Sequence, residues 1–214
     1  MDSVTPTRME LQARRAQIKL ASEGVNLLTG KREALLKELI RRARELRDLR
    51  QELHRRGRAA MAALAMARAV RGTPELRSAA VAGQREAEVE IHRENVWGLP
   101  LADVAPSGIL RTADERGMGQ LDMSSHVLEA AEMAEAMAEQ LIRCAPAEAN
   151  IKLLGDEVRK VTRRLNALEE HLLPKLHQDV RAIGRVLEER EREDTFRLKR
   201  IKRRKAAARG SGSE

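Results

Sequence analysis

The sequence predicts a mainly α-helical protein: a long antiparallel two-helix coiled-coil hairpin, with a small β-hairpin-containing lobe in the middle of the chain. Three observations carry that expectation. Two stretches, one towards each end, place aliphatic residues at alternating steps of three and four, which keeps one stripe of a helix against a neighbour. The chain is 35% charged, with one Trp, one Phe and no Tyr. That suits helices whose surface far exceeds their seam better than an aromatic-filled core. Between Pro74 and Asp122 the helical spacing lapses.

The first helix is expected over residues 7–71, with Thr5 as its cap and Pro6 in its first turn. Its seam runs through Leu11, Ile18, Val25, Leu28, Leu35, Leu39, Leu46, Leu49 and Leu53, and then turns to alanines such as Ala60 and Ala67. Arginines stand at four seam positions: Arg14, Arg32, Arg42 and Arg56. At about 1.5 Å per residue this helix would span roughly 95 Å. Arg58 to Ala69 is rich in Ala and Met, so a partner backbone can approach closely there. Gly72, Thr73 and Pro74 end the helix.

Residues 72–122 form the lobe. Glu86 to Val96 reads as a strand with Val89 and Ile91 on one face, and Trp97-Gly98-Leu99-Pro100 as a turn. The return strand is either Leu101–Val104 or Ile109–Thr112. Gly117 and Gly119 flank a flexible joint. The second long helix is expected over residues 123–205, capped by Ser124 or Ser125. Pro146 either kinks it or starts it anew. Its seam is Ile151, Leu154, Val158, Val161, Leu165, Leu168, Leu172, Leu176, Val180, Ile183 and Leu187. The steps of four around Leu176 are a stutter, which relaxes a left-handed supercoil. Pro174 lies inside it and should bend the helix. Residues 206–214 read as a disordered tail.

From Arg197 to the end there are eight Lys or Arg against one acid, so nearly all of the net charge of +8 sits at one tip. A tip of that kind attracts an anionic partner: nucleic acid, anionic lipid or an acidic protein surface. No apolar run is long enough to span a bilayer and the N-terminus lacks a signal-peptide core, so a cytoplasmic location is expected. Cys144 is the single cysteine, which excludes an internal disulfide.

No catalytic, cofactor-binding or metal-binding residues are expected. Gly24 to Arg32, GVNLLTGKR, has five residues between its glycines instead of four, and Arg where a phosphate loop needs Ser or Thr. The five histidines include no pair at metal spacing. Glu188 to Asp194, EERERED, reads as a solvated helix face with i,i+4 partners. In RLKRIKRRK the aromatic platforms that bind single strands are absent, and Phe196, Leu198 and Ile201 alternate with the charges, leaving one side apolar.

PTRMELQARRAQIKLASEGVNLLTGKREALLKEL (Pro6 to Leu39), TRRLNALEEHLLPKL (Thr162 to Leu176) and LEEREREDTFRLKRIK (Leu187 to Lys202) closely resemble the D subunit of V-type and archaeal-type ATPases and ATP synthases. RENVWG (Arg93 to Gly98) is a looser match. Glu23 and Gly30 depart from the family's usual basic residues, and Pro146 lies where its helix is normally uninterrupted. The resemblance implies a non-catalytic central rotor shaft that couples ATP hydrolysis or synthesis to ion movement. It implies contacts with catalytic A and B subunits, with the small F subunit and with the funnel-shaped subunit on the membrane rotor ring, hence peripheral membrane association through the complex. On that basis Pro6, Thr7, Arg8, Phe196, Leu198, Arg200, Ile201, Lys202 and Arg203 are expected to face the catalytic ring. The reading from a different class is a coiled-coil protein that binds nucleic acid through its basic tip, and salt-dependent binding to duplex DNA distinguishes it.

Overall fold

The structure, a computed structural model, describes residues 6–84, 86, 89–106, 108–112, 114–116 and 124–210. Thr7 opens the first helix, α1 (Arg8–Ala82). Its Oγ1 accepts the Glu10 amide at 3.1 Å and its carbonyl accepts the Leu11 amide at 3.0 Å. The capping thus falls on Thr7, while the expected cap Thr5 lies outside the described residues.

Within α1, Gly72 has φ 81° and ψ 167°. Only glycine takes that conformation readily, so the helix breaks there and restarts with Pro74 in its first turn. The expectation of no helix after Pro74 is therefore corrected. Leu76 and Ala79 recur at helical spacing and pack, with Ala63, against Ala67, Val127 and Ala130. A nine-residue stretch is too short to announce itself by periodicity when its apolar residues are mostly alanine.

Strands β1 (Val89–Val96) and β2 (Leu99–Pro106) form an antiparallel hairpin in which Val96 faces Leu99 and Ile91 faces Val104. The turn is the two residues Trp97 and Gly98, with φ of 54° and 84°. Positive φ at both centres is the geometry that matches the strands' twist. Leu99 and Pro100 belong to β2, and Ile109–Thr112 carries no strand. The expected joint at Gly117 and Gly119 lies outside the described residues.

Helix α2 (Ser125–Asn166) begins where the Ser124 carbonyl accepts the amides of Val127 and Leu128 at 2.9 and 3.3 Å. It passes through Pro146, which is buried, without a break in helical structure. A π-helical turn, Ala167–Leu172, follows and leads into α3 (Leu173–Gly210). There the Leu173 amide bonds to the Leu168 carbonyl, five residues back. The wide turn ends just before Pro174, whose ring would clash with the carbonyl four residues back in a regular helix. The seam consequently steps by five, from Leu168 to the half-buried Leu173, and the expected seam residue Leu172 is 41% exposed. Residues 206–210, expected in a disordered tail, are helical; 211–214 lie outside the described residues.

The chain divides into two compact units, 1–32 with 160–214, and 33–159. In the first, α1 and α3 run antiparallel. Arg14 pairs with Asp179 at 3.9 Å, Arg8 with Glu191 at 2.6 Å, and Arg190 donates to the Pro6 carbonyl at 3.2 Å. Ala21, Val161, Leu165, Leu176 and Ile183 are buried. Leu11, Ile18, Val25, Leu28, Leu168, Val180 and Leu187 are half-buried, the ordinary state of a seam only two helices thick.

In the second unit Leu35 and Leu154 are wholly buried, as is Ala67, and Leu39, Leu46, Leu49, Leu53, Ile151 and Val158 are half-buried. Antiparallel pairing of α1 with α2 shows in Arg50 with Glu148 (2.7 Å) and Arg56 with Glu139 (3.7 Å). The side-chain amide of Gln140 donates to the Leu49 carbonyl at 3.1 Å. The seam arginines are neutralised locally: Arg42 pairs with Glu38 at 2.7 Å and Arg56 with Glu52 at 2.7 Å. Arg41 first, and then Arg42, hold the Glu38 carboxyl down to about 2. Arg42 and Arg56 are half-buried, their aliphatic stems against the seam and their charged heads paired at its rim.

Candidate partner interface

The C-terminal part of α3 is built unlike the rest of its unit. Every side chain from Glu188 to Lys205 is exposed. Phe196 is 75% exposed, Leu198 67% and Ile201 51%. At 100° per residue, Leu198 and Ile201 share a face, whereas Phe196 lies about 160° from Leu198, nearly opposite. The expected single apolar side is therefore corrected: large apolar groups stand on opposite sides of this helix. An alternation of two is a strand's rule and does not gather residues on one helical face.

Charge is distributed around the same segment. Glu189 pairs with Arg192 at 3.4 Å at a spacing of three, and Glu193 with Arg197 at 3.9 Å at the expected spacing of four, with a partner just past EERERED. Beyond them no carboxylate of the described residues remains within reach, and Lys199, Arg200, Lys202, Arg203, Arg204 and Lys205 make no ion pair with any described residue. Pro6, Thr7 and Arg8 lie alongside, tied to Arg190 and Glu191. The structure thus brings Pro6 and Arg8 beside Arg190 and Glu191, while Phe196 to Arg203 lies further along α3 and is exposed throughout.

Other sequence candidates are absorbed by the fold. Gly24 to Arg32 is continuous helix, so its amides are engaged in helical bonds and do not cradle a phosphate. His54, His92, His171 and His177 are exposed and His126 is half-buried. Among the described residues no group of three His, Cys, Asp or Glu is placed to hold a metal ion. Cys144 is buried, which pushes its thiol up, as does Glu148, and makes it a poor nucleophile. Among the described residues no helix is long and apolar enough to cross a membrane.

One buried constellation gave no signal in the sequence. Arg116, on a short 3₁₀ turn (Asp114–Arg116), is 2% exposed and donates from Nη2 to Glu135 at 2.9 Å and to the Arg111 carbonyl at 2.9 Å. Arg111 reaches the same carboxylate at 2.8 Å and the Gly83 carbonyl at 3.0 Å. Burial alone would raise the Glu135 pKa; the bonds from Arg116 and Arg111 outweigh it and hold the carboxyl below its usual range. Bonded to one another and to backbone carbonyls, these side chains fasten the segment after β2 to α2.

Antiparallel helix pairing within each unit, a β-hairpin between the long helices in the chain and an exposed basic helix end define a mainly helical hairpin protein. Residues 10–203 match the profile of the ATP synthase D-subunit family. The V-type ATP synthase D subunit of Thermus thermophilus is 43% identical over 206 residues, covering 94% of this chain and 89% of that protein. That of Anaeromyxobacter sp. is 39% identical, covering 98% and 99%. The A-type ATP synthase D subunit of Methanosarcina mazei is 36% identical, covering 94% and 96%. The chain belongs to the ATP synthase D-subunit family, and as a member it is one component of a multi-subunit V/A-type ATPase.

Proposed function

We propose that this protein is the non-catalytic central-stalk shaft of its complex, coupling ATP hydrolysis or synthesis in a ring of A and B subunits to ion movement through the membrane part. The observation that carries the reading is the exposed end of α3. Phe196 and Leu198 stand on opposite sides of it, among cations without ion-pair partners in the described chain. A one-sided partner covers only one of those faces; a sleeve covers both. Charges spread around a helix and free of fixed partners interact with many positions of a sleeve without locking to one. Pro6, Thr7, Arg8, Phe196, Leu198, Arg200, Ile201, Lys202 and Arg203 are the residues proposed to face the ring. The small F subunit and the funnel-shaped subunit are the proposed companions elsewhere on the chain, and membrane association is peripheral, through the complex.

The test is to neutralise Arg200, Lys202 and Arg203 together, assemble the complex and measure ATP turnover and ion pumping side by side. Pumping is expected to fall, or assembly to weaken, with the ring's intrinsic turnover retained and the defect shrinking as salt rises. Unchanged assembly and pumping, with loss of duplex DNA binding, would overturn the shaft in favour of a nucleic-acid-binding role.

A further inference from the structure

We infer that the wide turn at 167–172 is a two-state register element. The seam of the second long helix carries one surplus residue. That residue is either held in the turn with Leu173 inward, as in the structure, or spread along an ordinary helix with Leu172 inward. All of the parts lie in the unit formed by residues 1–32 and 160–214.

From Leu168 to Leu176 is one residue more than a seven-residue repeat. Both leucines belong to the seam, Leu176 at 4% exposure and Leu168 half-buried, so the extra residue has to be absorbed between them. The structure absorbs it at one place. The Leu173 amide reaches back five residues to the Leu168 carbonyl, and half-buried Leu173 fills the layer. From there Leu176, Val180, Ile183 and Leu187 follow at regular steps of three and four, all buried or half-buried.

The same sequence satisfies a second packing. With ordinary helical bonds throughout, Leu168, Leu172, Leu176 and Val180 follow at steps of four. Leu172 then replaces Leu173, and every other seam residue keeps its place. Because both positions are leucine, one enters the layer as its twin leaves. Across from Leu168 stands Gly24, where even an added Cβ would be 4.0 Å from Leu168 Cδ1, so the facing backbone leaves room for the layer to repack.

Pro174 decides between the two forms. In an ordinary helix its ring clashes with the Glu170 carbonyl and bends the chain, and the wide turn avoids that clash. Two packings of one sequence separated by one local conflict make a conformational switch. They differ in twist. A run of four-residue steps relaxes the left-handed supercoil, whereas a π-turn confines the extra residue and leaves the heptads on either side wound as before. Changing form therefore changes how α1 and α3 wind about each other without opening their seam.

The test compares the full chain with Pro174→Ala. A soluble paramagnetic agent broadens the methyl resonances of exposed leucines, and circular dichroism checks that both chains are folded. In the native chain Leu172 is expected to broaden at least about twofold more than Leu173, and in Pro174→Ala the order should reverse. An unchanged order in the variant overturns the switch, because the proline then holds no second packing in check. Equal broadening in the native chain also overturns it, since that marks a locally open segment. A further variant, Pro174→Ala with Glu170 deleted, removes the conflict and the surplus residue together and leaves unbroken heptads. Its melting temperature is expected to lie several degrees above that of Pro174→Ala alone. A fall instead would show that the residue is not surplus and would sink the register account.

Discussion

The side chain of Asn150 closes both backbone groups of Ala102. The Ala102 amide donates to Oδ1 at 2.9 Å and Nδ2 donates to the Ala102 carbonyl at 2.6 Å. Asn150 is 4% exposed, and the neighbouring Leu101 is 1% exposed. One amide on α2 thus acts as the next strand would for β2, while β1 is exposed along nearly its whole length. Asn150→Ala leaves a backbone amide and carbonyl without those partners and is expected to cost about 1–3 kcal/mol. The measurement is hydrogen exchange at Leu101 to Asp103, which should accelerate selectively. Unchanged protection would mean that Leu101 alone holds the hairpin.

Trp97 occupies the first centre of the β1–β2 turn with φ 54°, a conformation that costs a bulky residue about 1–2 kcal/mol. At 58% exposure its ring recovers little of that by burial. Trp97→Asn is expected to raise the stability of the hairpin by up to about 1 kcal/mol, since Asn-Gly is the preferred pair for this turn. Slower exchange of the hairpin amides in the variant checks this; faster exchange would show that the indole makes a stabilising contact.

Leu165 and Leu172 look alike on a seven-residue repeat but differ in the structure. Leu165 is 3% exposed and Leu172 is 41% exposed, because the π-turn rotates the second out of the seam. Leu165→Ala is expected to cost roughly 2–4 kcal/mol, with little relaxation in a core two helices thick. Leu172→Ala should fall within about 0.5 kcal/mol, as for a surface site. Equal losses in denaturant melts would place Leu172 back in the seam.

That contrast marks how far the sequence is legible. The helices, their antiparallel pairing within each unit and a hairpin turning somewhere in Trp97 to Pro100 follow from local spacing, whereas the tightness of the turn, with Leu99 and Pro100 already in β2, does not. Pro174 announces a disturbance but not its form, for a kink and a π-turn relieve the same clash and differ in which leucine faces inward. The helical 73–82 segment was hidden because alanines pack well but show weak periodicity. The Arg116–Glu135 pair was hidden because its partners lie 19 residues apart on different elements, one of them on a turn without a pattern. At the proposed interface the residue types were legible, whereas their placement on opposite faces required the helix to be built.

The pair Arg116 and Glu135 also fixes a pH dependence. Both side chains are buried, at 1% and 10% exposure, and the folded carboxyl titrates below its ordinary value of 4.5. A carboxylate depressed in the folded state contributes stability that is fully present above the unfolded pKa and lost as pH falls through the folded one. The clamp between the segment 108–116 and α2 should therefore hold unchanged at neutral pH and weaken as the pH drops below about 4.5. Glu38, held down to about 2, follows the same sign on the other helix, so a melt of the native chain alone does not isolate the clamp. Glu135→Gln does, because it removes this one titration at nearly constant shape. It leaves the buried Arg116 and the half-buried Arg111 without their shared anion and is expected to cost about 3 kcal/mol at pH 7. Its deficit relative to the native chain should then shrink progressively below pH 4.5, where the native carboxyl takes up its proton as well. A deficit independent of pH down to about 2, measured by melts of both chains at each pH, would show that Glu135 is not the titrating group of the clamp.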